Sequence, residues 1–285
     1  MTSERAGHRR AAAALVGCGV LFSTAGALLR LVPWSPGAVW CARSALVAIA
    51  LTAIWRPRWR GLTRTEVVAG LALAANSGLF ILANRWASPA NAILIQYSSP
   101  AWVALFAWPL IGERATRHDA IAIVVALAGV ALCFADQLTL DGLGGNAVAL
   151  GAGVAIALHV VLLRKLARAS KSPDPERRAI LVGNLVPAVA GLPFLLAAGA
   201  MPASGWAALL ALALLQQALP GLLYAWSINR VTAVEASLLP IVEPILSPLW
   251  VWLAFADRPS PFVVAGGALV VTAVIVRALA PRPKT

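Results

Sequence analysis

Acidic residues are scarce in this chain: 11 Asp and Glu stand among 285 residues, against 23 Lys and Arg. Charged residues of both signs reach only 12%, too few to cover the surface of a soluble domain. Cysteine is scarcer still. Cys18, Cys41 and Cys133 all fall inside apolar runs with neither C-x-x-C nor ligand spacing, so buried packing is expected in place of disulfide, metal or redox chemistry. No H-E-x-x-H, P-loop or G-x-S-x-G occurs, and the zinc-hydrolase, nucleotide-hydrolase and serine-hydrolase routes lack their parts. The chain therefore reads as a non-enzyme without a cofactor.

What fills the chain is apolar: 60% of residues are hydrophobic and the mean hydropathy is +0.82. Continuous apolar runs of roughly the 20 residues that an α-helix needs to cross a bilayer recur along it. They fall at roughly 11–31, 36–55, 65–84, 90–110, 119–136, 145–163, 179–199, 205–227, 231–254 and 261–279. Their continuity points to helices, since barrel strands would alternate. The first run lacks a small-x-small exit and is followed by equivalents, so it reads as a span and not as a cleaved signal peptide. The expectation is an all-α polytopic membrane protein with ten transmembrane helices.

The net charge of +12 suggests nucleic acid only until the charges are placed. With the N-terminus inside, 19 of the 23 basic residues fall on inner segments, among them Arg56, Arg58, Arg60 and Arg64, Arg164 to Arg178, and Arg277, Arg282 and Lys284. Arg30, Arg85 and Arg258 are outside, and Arg43 lies within a span. This is the positive-inside pattern, set beside anionic headgroups, and it places the chain in an inner (plasma) membrane with both termini cytoplasmic and no nucleic-acid partner. Solvated loop charge accounts for these residues.

The chain also repeats itself. Ala92, Leu94, Pro100, Leu105, Trp108, Glu113 and Arg114 match Ala236, Leu238, Pro244, Leu249, Trp252, Asp257 and Arg258 at an offset of 144. Gly17-x-Gly19-Val20, closed by Leu28-Leu29-Arg30, matches Gly151-x-Gly153-Val154, closed by Leu162-Leu163-Arg164, at an offset of 134. The ten-residue difference belongs in the loop Arg164–Arg178, whose Ser170-Lys171-Ser172-Pro173-Asp174-Pro175 core reads as a flexible linker. Ten spans divide into halves of five, residues 1–144 and 145–285. Because five is odd, the second half enters the membrane from the other side. Two inverted five-helix repeats are the architecture of carriers that expose one site to two compartments in turn.

Together with Ala42-Arg43-Ser44-Ala45-Leu46 in the second run and Val242-Glu243-Pro244 in the ninth, these motifs make the chain similar to the drug/metabolite transporter superfamily, specifically its EamA-type members. The resemblance covers nearly the whole length. It implies a transporter of a small-molecule substrate in the lipid bilayer, in a family whose substrates include amino acids, their analogues, sugars, nucleobase compounds and drugs.

Ionisable residues at bilayer depth mark functional positions by default. Glu243 is twelve residues into the ninth run, about 18 Å from its inner end, and Arg43 is seven residues into the second, about 10 Å from the outer end. Those depths allow the two charges to meet, either as a structural ion pair or as a substrate or proton site. Glu235 lies near a helix start, where a carboxylate suits the dipole. His159 has a side chain suited to proton handling or to a buried hydrogen bond. Asn76, Asn84, Gln96, Tyr97, Asn184, Gln217 and Tyr224 add polar groups in both halves, for a shared cavity or for helix contacts. Trp40, one turn from Arg43, is a further cavity candidate, whereas Trp34, Trp55, Trp59, Trp86 and Trp206 mark the interfaces. Runs 5 and 10 lack such groups and read as scaffold. Pro100 and Pro244, matched across the repeat, are the expected kinks and hinges, with freed carbonyls turned towards the cavity.

The expected function is alternating-access export of a small metabolite, with amino acids or amino-acid-like compounds favoured because one cation and one carboxylate complement a zwitterion. A proton is the candidate coupling ion. Monomer and homodimer are both compatible with the sequence. The alternative is a non-transporting membrane scaffold or sensor subunit, which would pack its polar residues without a water path.

Overall fold

The computed structural model describes residues 2–138, 142–170, 174–255 and 260–279, and among these every regular element is a helix. Lys171, Ser172, Pro173, Asp257, Arg258, Arg282 and Lys284, which figure in the linker, the repeat and the charge pattern, lie outside the described residues. In chain order the helices are α1 (Thr2–Ser23), α2 (Ala25–Leu29), α3 (Pro36–Trp55), α4 (Arg64–Trp86), α5 (Pro89–Gln96), α6 (Ser99–Ile111), α7 (Arg117–Cys133) and α8 (Leu143–Ala169). There follow α9 (Asp174–Ala190), α10 (Leu192–Leu196), α11 (Ala203–Ala213), α12 (Leu219–Ser227), α13 (Ala233–Leu238), α14 (Glu243–Phe255) and α15 (Pro261–Leu279). A π-helical turn, Leu214–Ala218, joins α11 to α12, and a 3-10 turn, Leu239–Val242, joins α13 to α14.

Six stretches among the described residues are long and apolar enough to cross a membrane: Ala6–Leu29, Pro36–Trp55, Arg64–Trp86, Leu143–Ala169, Ala203–Ser227 and Ala233–Ala254. Pro261–Arg277 is a shorter apolar helix. Ile49, Val124, Leu196 and Leu253 are each more than half exposed on the bundle exterior, which suits hydrocarbon and not water. The repeated Trp108 and Trp252 are exposed as well, and the Arg114 guanidinium stacks 5.0 Å from the Trp108 ring.

Helix extends further around the expected linker than the sequence suggests. Arg164, Lys165 and Arg168 belong to α8, and Asp174 and Pro175 open α9. Asp174 and Glu176 complement the positive end of that helix, and a proline in its first turn forfeits no intrahelical bond.

The packing is symmetric under exchange of the halves. Helix α8 lies against α4, α5 and α6, as α1 lies against α12, the 3-10 turn and α14. Across the halves, α3 pairs with α9 and α7 with α15. The last pair touches backbone to backbone: a Cβ on Gly266 would stand 2.4 Å from the Gly129 carbonyl oxygen, and one on Gly129 would stand 2.8 Å from that of Gly266. Gly266→Ala should therefore push α7 and α15 apart and cost about 1–3 kcal/mol. Gly17, with open space at its Cβ position, should accept alanine without loss. Thermal midpoints of the two purified variants check this contrast, and equal midpoints would contradict it.

At the end of the bundle where α1 begins and α15 ends, called the terminal end below, three helices begin with the same device. Thr63 with Glu66, Thr116 with Asp119 and Thr232 with Glu235 form reciprocal capping boxes on α4, α7 and α13. Each carboxylate also takes a cation from the other half or from the chain's first helix. Arg178 Nη2 stands 2.6 Å from Glu66, Arg277 pairs with Asp119 and lies 3.3 Å from Glu235, and His8 Nε2 is 2.9 Å from Glu235. Glu113 joins two further helices, receiving Arg164 Nε at 2.8 Å and Arg168 at 3.2 Å from α8 and the Ala233 amide at 2.8 Å from α13. These contacts correct two expectations. Arg164, Arg178 and Arg277 are bound into ion pairs and are not solvated loop charge, and the fifth and tenth runs carry a buried pair, Asp119–Arg277.

Candidate functional site

Two helices break where the repeat places its prolines. Helix α5 ends at Gln96, Tyr97 and Ser98 make a turn, and α6 restarts with Pro100 as its second residue. Helix α13 ends at Leu238, the 3-10 turn follows, and α14 restarts with Pro244 as its second residue. A proline there lacks only an N–H that a helix start leaves unused, whereas in a continuous helix it would clash with the carbonyl four residues back. The single helices expected over 90–110 and 231–254 are thus each two.

Those carbonyls belong to Gln96 and Pro240, and they explain the second sequence repeat. A Cβ on Gly153 of α8 would lie 3.1 Å from the Gln96 oxygen, and one on Gly19 of α1 would lie 2.5 Å from the Pro240 oxygen. Glycine lets the backbone of each half close over the break of the other. The Pro240 carbonyl also accepts the Glu243 N–H. The freed carbonyls are therefore covered by helix, a correction to the expectation that they line a cavity. Pro244→Ala returns an amide donor to the Pro240 carbonyl and permits one straight helix, so it should slow transport while the protein accumulates normally. An unchanged transport rate at normal abundance would reduce the paired prolines to packing.

At the breaks, the Tyr97 phenol and the Glu243 carboxylate lie near enough to interact. Arg43 is not part of that contact. Among the described residues no ion pair joins it to Glu243, and its Nε is buried without a partner. Depth along a helix is readable from residue counts, but direction around the bundle is not. Helix α3 packs on α9, α10, α11 and the π-helical turn, whereas α14 packs on α1, α2, α7 and α15.

The remaining candidates divide by what they touch. Gln217, in the π-helical turn, donates from Nε2 to Asn184 Oδ1 at 3.2 Å, and Asn184 donates to the Ile180 carbonyl at 2.9 Å. Trp40 Nε1 donates to Ser77 Oγ at 2.8 Å and its ring lies over Gly78. Asn76 Nδ2 donates to the Ala152 carbonyl at 3.0 Å and His159 Nδ1 to the Ala69 carbonyl at 2.7 Å, so both brace α4 against α8. Asn84 bonds its own helix at Phe80, and the Tyr224 hydroxyl donates to the Ala236 carbonyl. Gln96 closes α5 beneath Tyr97.

The π-helical turn was not anticipated, nor was Gln216 within it, whose Oε1 is buried without a partner. Pro220, four residues after Gln216, is the signal. The wider turn removes the clash between its ring and the Gln216 carbonyl, and such turns recur at functional positions. The capping-box pattern Thr-x-x-Glu/Asp was likewise legible before Glu66, Asp119 and Glu235 were seen paired. Among the described residues no group of three or more His, Cys, Asp or Glu is placed to hold a metal ion.

In comparison with known proteins, the model described as "EamA-like transporter family" matches twice, over residues 9–135 and 143–278. No curated sequence matches the chain. Among the solved structures, one titled "Crystal structure of protein" is similar at 20% identity with a TM-score of 0.74, over 94% of this chain and 96% of that one. At that identity the likeness concerns the fold.

Proposed function

Because this chain belongs to the EamA-like transporter family, we propose that it exports a small amino-acid-like metabolite through a site at its two helix breaks. The family assignment makes it a multi-pass membrane protein of a transporter family. The reading of the site rests on one juxtaposition. Two broken helices from opposite repeats bring Tyr97 to Glu243, while Arg43 keeps a buried Nε unpartnered elsewhere in the bundle. A carboxylate and a guanidinium that do not neutralise each other are left to meet the ammonium and carboxylate of a zwitterion. Gln96, Asn184, Gln217 and Trp40 would shape the polar surface between them, with Asn76 and His159 holding the walls.

In this reading ten spans form two inverted five-helix repeats, residues 1–144 and 145–285, in the inner membrane with both termini cytoplasmic. The ion pairs at the terminal end then close the cytoplasmic side, and alternating access requires them to part. A proton taken up by Glu243 is the proposed coupling ion. Export-linked resistance of expressing cells to a panel of amino acids and toxic analogues tests the substrate class, and resistance to none would reject it. Orientation is tested separately. A cysteine at Ser170 should escape an impermeant maleimide in intact cells and react in inverted vesicles; labelling in intact cells would reverse the topology.

A further inference from the structure

A cavity of about 310 Å³ opens at the terminal end, away from the helix breaks, between the ends of α3, α8, α9 and α12. Its volume is that of a small-molecule site. Three charged side chains line it. Glu176, in the first turn of α9, is only 2% exposed, and its Oε2 has no hydrogen-bond donor. Arg177 and Arg230 are steered by indole rings: the Arg177 guanidinium lies 5.9 Å from the Trp55 ring and that of Arg230 lies 4.4 Å from Trp226. Arg230 is further held by the Trp226 carbonyl and Asn229 Oδ1.

A carboxylate oxygen buried without a donor is costly unless something supplies one. Burial pushes the Glu176 carboxyl group above the ordinary carboxylate range, and neighbouring Arg177 opposes that push without hydrogen-bonding Oε2. An ammonium group supplies the missing donor and charge. The two ring-held guanidinium groups at the same cavity suit a carboxylate on the same molecule. We propose that this cavity is a second binding site, separate from Glu243 and Tyr97, for a small zwitterion carrying one ammonium and one carboxylate. It takes the ligand class proposed for the transported substrate, but it rests on its own residues. Its position makes it a vestibule at which substrate waits on the terminal side of the closed ion pairs.

The test uses the full-length protein with a cysteine at Ser170, a part-exposed residue lining the cavity, whereas the three native cysteines are buried. The rate of maleimide alkylation is measured with L-leucine, leucinamide or 4-methylvalerate, which present both charges, the cation alone or the anion alone. L-leucine should slow alkylation at least tenfold, and the single-charge analogues should protect only at much higher concentration. Glu176→Gln should abolish protection by L-leucine, and Glu243→Gln should leave it intact. Full protection in Glu176→Gln, or no protection by L-leucine in the parent, would overturn the proposal. Loss of protection in Glu243→Gln would also overturn it, by assigning the effect to the central site. If Glu176→Gln does not accumulate, Arg177→Ala should weaken protection by L-leucine while sparing that by leucinamide, and equal protection would again overturn the proposal. Protection that persists where cells export no amino acid would retain this cavity and reject the substrate class of the central site.

Discussion

Glu243→Gln should leave a folded protein that has lost most of its transport. The side chain keeps its size, and an amide can still accept from the Tyr97 phenol, so the helix break and its packing against α1 remain. What disappears is the negative charge. A charge-assisted hydrogen bond to a substrate ammonium contributes about 1.5–3 kcal/mol, so its loss lowers transport efficiency roughly 10- to 100-fold. Tyr97→Phe removes only a neutral partner and should cost several-fold. An amide takes up no proton, so residual transport by Glu243→Gln should also lose its dependence on pH. Because no ion pair joins Arg43 to Glu243 among the described residues, Arg43→Gln should not rescue Glu243→Gln. A double variant with restored transport would mean that the two charges serve each other and not a substrate. Initial rates in proteoliposomes, normalised to protein recovered, make the comparison. Wild-type rates and pH profile in Glu243→Gln would remove it from the site.

The sequence made the repeat visible and, with it, the two places where a matched proline disturbs a helix, which read as kinks where the structure has breaks, because a proline away from a helix start forfeits a hydrogen bond and crowds the carbonyl four residues back. It also contained the partner of each break. Gly19 and Gly153 repeat because each must admit a carbonyl of the other half, at Pro240 and Gln96. Composition was enough for the all-helical class and for the six long apolar spans among the described residues, since apolar length needs no tertiary information. Pairing across the bundle was not legible. Glu66 and Arg178 stand 112 residues apart, and nothing local distinguishes an arginine held by a carboxylate from one in water. For the same reason the similar depths of Arg43 and Glu243 suggested a pair that the packing of α3 and α14 does not make. Helix extent around Arg164–Arg178 was underestimated because amphipathic helix ends, rich in Arg and Lys, look like loop to a hydropathy reading.

Arg277→Ala should produce the largest loss of stability available from a single side chain at the terminal end. Arg277 is 1% exposed and lies between two buried carboxylates, Asp119 and Glu235, themselves 2% and 1% exposed. Both carboxylates already serve their own capping boxes, so neither is free to turn to water when the cation goes. His8 remains for Glu235, but Asp119 is stranded. Breaking a buried pair in this way costs about 3–5 kcal/mol. Arg168→Ala is the matched control, because that side chain is half-exposed and shares Glu113 with Arg164, and it should cost about 0–1 kcal/mol. Thermal midpoints of the purified variants should separate accordingly. Adding Asp119→Asn to Arg277→Ala should recover part of the loss, since it removes the unpaired charge while an amide oxygen can still cap Thr116. An Arg277→Ala midpoint no lower than that of Arg168→Ala would mean that water reaches this network. The terminal end would then be held by the packing of α7 on α15, with the ion pairs contributing little, and its opening during transport would be a matter of helix separation at Gly129 and Gly266 and not of breaking charges apart.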